Sequence, residues 1–96
     1  MYAFKAKVNR VIDGDTIDFD LDLGFYMTKT VRIRLRDFDA PELRGNERLE
    51  GIKVRNVVVD VLSEAKEITV ITYKDRSFDR WMGDVFCDGD DIRELI

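Results

Sequence analysis

From Val31 the sequence reads Val31-Arg32-Ile33-Arg34-Leu35-Arg36-Asp37-Phe38-Asp39-Ala40-Pro41-Glu42. Its first half alternates apolar residues with arginine, the pattern of a half-buried strand. The alternation then breaks at Asp37 and Asp39, followed by the chain's single proline, Pro41, and by Glu42. An arginine-bearing strand therefore runs straight into a carboxylate-rich turn. A planar guanidinium can grip a phosphate through two parallel hydrogen bonds. Carboxylates beside it can hold a hard cation and take a proton from a water molecule. The chemistry that suits this combination is metal-assisted hydrolysis of a phosphodiester.

Other residues could join it. Val11-Ile12-Asp13-Gly14-Asp15-Thr16 places Asp13 and Asp15 around a tight Asp-Gly turn. If the strands on either side of residues 24–30 pair, Asp15 and Asp39 share one rim. Two carboxylates and a loop carbonyl make an oxygen-only site suited to Ca²⁺, with waters completing the shell. Taken alone, Asp-Gly-Asp-Thr is ordinary turn chemistry. Arg32 and Arg36 are expected to pair across the strands with Asp18, Asp20 and Asp22. For Arg34 that pairing and phosphate binding remain open. Arg80, taken alone, is an exposed loop charge.

These groups need strands to position them. Tyr2, Phe4, Ala6 and Val8 alternate with Ala3, Lys5, Lys7 and Asn9, predicting a first strand that continues to Ile12. A second strand opens at Thr16, with Ile17, Phe19, Leu21 and Leu23 on one face and Asp18, Asp20 and Asp22 on the other. Residues 24–30 are expected to be a loop and residues 31–37 a third strand. Asn46 is a candidate helix cap. Val54, Val57, Val58, Val61, Leu62 and Ala65 then follow helical spacing, and Asn56 and Asp60 suit the solvent face. Further strands are predicted at residues 68–73 and 81–87. Asp88-Gly89 turns, and Asp90 or Asp91 can cap a short helix beginning at Ile92. Three strands, a helix and two more strands suit a mainly β, α+β architecture: a five-stranded OB-fold barrel with one long helix and a truncated C-terminal helix.

Composition narrows the function. At 96 residues one domain, 1–96, is expected. With no His and one Cys, neither a zinc site nor a histidine triad is expected, and Cys87 reads as a small buried hydrophobe. The net charge of −4 argues against a non-specific nucleic-acid coat but permits a local cationic pocket. No apolar run approaches the roughly 18 residues of a spanning helix, and the first residues lack a signal-peptide core, so a cytoplasmic location and a monomer are the expectations.

Val11-Ile12-Asp13-Gly14-Asp15-Thr16, then Arg34 with Asp39, Pro41 and Glu42, then Phe78-Asp79-Arg80 resemble, in order and spacing, the three signatures of the staphylococcal nuclease-like (thermonuclease) family. The resemblance covers nearly the whole chain. It implies a barrel of the OB type and a Ca²⁺-dependent nuclease acting on DNA and RNA, with single-stranded nucleic acid as substrate. By motif position, Asp15 and Asp39 would bind the metal through carboxylates and Ala40 through its carbonyl. Glu42 would be the general base, Arg34 and Arg80 would clamp the phosphate, and Asp13 would lie just outside the metal's ligands. Phe78 and Tyr26 are candidates for stacking on bases.

The chain departs from the family pattern in places. Ala40 stands where a Thr is usual, Asp79 where a Gly precedes the arginine, and Phe78 where a Tyr is usual. Residues beyond Ile96 that the family normally has are absent from this sequence. The competing expectation is a non-catalytic OB-fold module that binds nucleic acid or a protein. Arg34, Glu42 and Arg80 occurring together favour the enzyme.

Overall fold

A computed structural model describes residues 2–38, 48–74 and 81–96. Its elements, in chain order, are β1 (Tyr2–Asp13), β2 (Thr16–Gly24), β3 (Met27–Leu35), α1 (Arg48–Glu64), β4 (Ile68–Lys74), β5 (Trp81–Cys87), β6 (Asp90–Asp91) and α2 (Ile92–Leu95). The strands run β3-β2-β1-β4-β5-β6, and β3 also pairs with β5, so five strands close a barrel and β6 is a two-residue extension at its edge.

Closure depends on β1 serving two neighbours. Its Tyr2–Ala6 half pairs with β4, and from Ala6 to Asp13 it pairs with β2. Register shifts between Val8 and Arg10 and between Val11 and Asp13 bend it from one partner to the other. The barrel is sealed by a short parallel pairing in which Ile33, Arg34 and Leu35 oppose Trp81, Met82 and Gly83. Gly83 makes this approach possible: a Cβ there would lie 2.7 Å from Ile33 Cγ2 and 3.1 Å from the Ile71 carbonyl oxygen.

The alternating apolar positions fill the interior. Ile17, Phe19, Leu21, Ile33, Leu35, Ile68, Val70, Val85 and Cys87 are buried together with Val58 and Leu62 of α1 and Ile92 of α2. Cys87 is the buried small hydrophobe expected, and burial pushes its thiol pKa up. Leu23 keeps the strand alternation but lies beyond the packed interior and is exposed. Helix α1 lies where the valine spacing predicts it, with Val58 and Leu62 inward and Asn56 and Asp60 in solvent. Its candidate cap, Asn46, is outside the described residues. Asp91 caps α2, its carboxylate accepting from the Arg93 backbone N–H at 2.9 Å.

The expected loop at residues 24–30 is instead a tight hairpin. Gly24 pairs with Met27 and leaves only Phe25 and Tyr26 in the turn. Both have positive φ, 54° and 60°, as a two-residue primed turn requires. The turn was hidden because its residues are aromatic rather than Asn-Gly. The β-branched Thr28 and Thr30 suit a strand, and Asp22 Oδ1 accepts from the Gly24 N–H at 2.8 Å.

Candidate active site

The β1–β2 turn and the end of β3 meet. Asp13 opposes Thr16, leaving Gly14 and Asp15 as the turn. Thr16 in turn opposes Arg34. The Leu35 N–H donates to the Asp15 carbonyl at 2.8 Å, which locks the turn to the last residue of β3. On the helix side, Arg55 of α1 donates to the Val11 carbonyl through Nε (3.4 Å) and Nη2 (3.3 Å), so α1 braces the strand that leads into the turn.

This scaffold brings Asp15 and Arg34 together, with Arg34 Nη2 at 3.8 Å from Asp15 Oδ2. Thr16 Oγ1 donates to the other carboxylate oxygen at 3.1 Å. The Asp15 carboxylate is mostly buried and the Arg34 side chain about one-third exposed, so the guanidinium sits at the boundary with solvent. Asp13 Oδ1 accepts from the Asp15 N–H at 3.3 Å. Burial, and then the Asp15 carboxyl beside it, push the Asp13 carboxyl up to about 6. Two crowded carboxylates disfavour full ionisation, and a cation relieves that crowding. The oxygen-only donors suit a hard cation. Among the described residues no group of three or more His, Cys, Asp or Glu side chains is placed so that it could hold a metal ion. The remaining expected site residues, Asp39, Ala40, Glu42 and Arg80, lie outside the described residues, as do Phe78 and Asp79.

The three arginines of β3 have separate fates. Arg32 pairs with Asp18 at 2.9 Å, as expected. Arg36 does not join the aspartates of β2, because the register sets Thr30 and Thr28 opposite Asp20 and Asp22. It crosses to β5, where Nε and Nη2 meet Asp84 at 3.3 and 3.0 Å, and its guanidinium lies 4.4 Å from the centre of the Tyr73 ring. Arg93 Nη2 also reaches Asp84, at 3.3 Å, and Tyr73 Oη donates to it at 3.2 Å. Arg93 Nη1 donates to the Arg36 carbonyl at 2.7 Å. The end of β3 is thereby clamped just before Asp39. The sequence signal for this cluster was a lone carboxylate, Asp84, inside an otherwise apolar strand.

Tyr26 lies in the β2–β3 turn, eight residues before Arg34, roughly 27 Å along the strand at about 3.4 Å per residue.

No family model matches the chain. A curated protein named micrococcal nuclease, from Shigella flexneri, is 32% identical over 83 residues, which is 86% of this chain and 42% of that protein. This chain is related to the staphylococcal nuclease-like family. The aligned region spans well under half of that relative's length. The closed barrel with one long helix and a short terminal one agrees with the relationship. Within it, Asp15 and Arg34 occupy adjoining strand ends.

Proposed function

We propose that this chain is a Ca²⁺-dependent nuclease that hydrolyses phosphodiester bonds of DNA or RNA, with single-stranded nucleic acid as substrate. The observation that carries the reading is the meeting of Asp15 and Arg34 across the β2–β3 pairing, at the rim where the β1–β2 turn is bonded to Leu35. The relationship to a protein named micrococcal nuclease supports it.

Asp15, Asp39 and the Ala40 carbonyl would hold the cation, with Asp13 behind Asp15. A bound Ca²⁺ supplies positive charge beside the phosphate and lowers the barrier to attack by water. Arg34 would bind the non-bridging phosphate oxygens through its guanidinium fork, joined by Arg80. Glu42 would take the proton from the attacking water. Attack would be in line, with the sugar oxygen leaving on the far side.

The test is cleavage of a labelled single-stranded DNA in Ca²⁺ and in chelator, with Arg34→Ala and Glu42→Gln beside the wild type. Ca²⁺-dependent cleavage lost in both variants supports the enzyme. Binding without cleavage in Ca²⁺ refutes it in favour of a non-catalytic binding module.

A further inference from the structure

At one end of the barrel the inward-facing positions run out of apolar partners and open to solvent. Tyr2, Leu23, Lys29, Lys74 and Trp81 ring this mouth, with Phe4 deeper inside, around a cavity of about 320 Å³. The register explains the grouping. Trp81 opposes Lys74 across β4–β5 and Ile33 across β3–β5, Tyr2 opposes Thr72, and Lys29 opposes Leu21. Paired residues share a face, so Leu23, Lys74 and Trp81 continue the inward-facing series of buried Leu21, Thr72 and Gly83, and Tyr2 and Lys29 continue that of half-buried Phe4 and Val31, toward the same opening. Tyr2 is 72% exposed and Trp81 43%.

We propose that this barrel mouth is a subsite in which bases of a single-stranded nucleic acid stack on Trp81 and Tyr2 while their phosphates meet Lys29 and Lys74. The inference rests on the nucleic-acid reading above and adds a second region to it. Three observations select this occupant. The chain carries 20 acidic and 16 basic residues, yet the described residues lining the mouth include two lysines and no Asp or Glu. The neighbouring groove at Lys5, Lys7 and Lys66 is, by contrast, neutralised by Asp20, Asp22 and Glu67. Flat aromatic faces beside positive charge are what sequence-tolerant single-strand binding uses. Finally, Trp81 lies opposite Ile33, the residue adjoining Arg34 on β3, so a strand held at Arg34 needs only to cross that wall of the barrel to reach the mouth.

Trp81 is the chain's single tryptophan, so its emission reports the site directly. The wild type is titrated in chelator, where no turnover occurs, with an eight-residue thymidine oligonucleotide and with an eight-residue abasic strand carrying the same phosphates. The expected result is quenching of Trp81 by the thymidine strand and little by the abasic one. Anisotropy of a labelled oligonucleotide is then expected to show binding about 5- to 150-fold weaker in Trp81→Leu, from the typical loss of one stacked base. Tyr2→Ala, at a more exposed position, is expected to weaken binding in the same direction if Trp81→Leu fails to fold. Equal quenching by both strands, or no quenching, overturns the subsite. Cleavage of single-stranded DNA in Ca²⁺ with unchanged affinity in both variants also overturns it and leaves the nuclease reading standing. Base-dependent quenching by a protein that never cleaves refutes the nuclease reading and leaves the subsite.

Discussion

Replacing Asp84 by Asn keeps its shape and removes its charge. Asp84 is 5% exposed, accepts from Arg36 at 3.0 Å and from Tyr73 at 3.2 Å, and forms an ion pair with Arg93 at 3.3 Å. Removing one member of a buried ion pair costs about 3–5 kcal/mol, because the partner charge stays behind. Here the stranded guanidinium groups can recover some hydration, since the Arg36 and Arg93 side chains are 39% and 25% exposed. Asn also keeps one acceptor oxygen. These two effects reduce the expected loss to about 2–3 kcal/mol, or roughly 10–20 °C in Tm for a domain of this size. Thermal unfolding by circular dichroism, with urea titrations for the free energy, measures it. Arg36→Met should then cost less in the Asp84→Asn background than in the wild type, with a coupling of about 1 kcal/mol or more. A loss below about 0.5 kcal/mol, within the usual range of a surface substitution, would refute the reasoning that this cluster clamps β3 to β5.

Three further outcomes are expected. Gly83→Ala drives a methyl into Ile33 Cγ2 and the Ile71 carbonyl and should cost about 1–3 kcal/mol by overpacking, read from urea unfolding. Replacing Phe25-Tyr26 by Asn-Gly relieves two bulky residues at positive φ and should stabilise by about 1 kcal/mol or more; an unchanged urea midpoint would show that the turn carries no strain. Arg93 holds the Asp91 carboxyl below the usual carboxylate range, so the folded state binds that proton less readily than the unfolded one. The stability it contributes is complete above about pH 4, the unfolded value, and is lost as pH falls through the depressed one. Asp91→Asn should therefore lose less stability than the wild type between pH 6 and pH 3.

Much of the barrel was legible because its strands alternate cleanly. Ile17, Phe19 and Leu21 announce a buried face, and Val58, Val61 and Leu62 announce a helix, since burial enforces those periods; Val57, at the same helical spacing, is exposed. Register was not legible. Whether Arg36 meets an aspartate of β2 or Asp84, which lies 48 positions along the chain, depends on the length of the hairpin turn and on the bulges in β1. Composition does not report these. The Phe25-Tyr26 turn carries no sequence signal for a related reason, because the residues that usually permit positive φ are missing there. Of the candidate site, the contact between Asp15 and Arg34 follows from ordering the motifs along paired strands. The clamp of Arg36, Asp84 and Arg93 behind it needs three-dimensional closure to appear.

The central claim is that Arg34, beside Asp15, grips a phosphate during hydrolysis. The most direct measurement is kcat for cleavage of single-stranded DNA in Ca²⁺ by the wild type and by Arg34→Ala, each shown to be folded by circular dichroism. The expected result is a loss of about 10²–10³-fold, the usual consequence of removing one donor that stabilises developing charge. Equal rates in the two proteins, or a folded wild type that does not cleave in Ca²⁺, would contradict it.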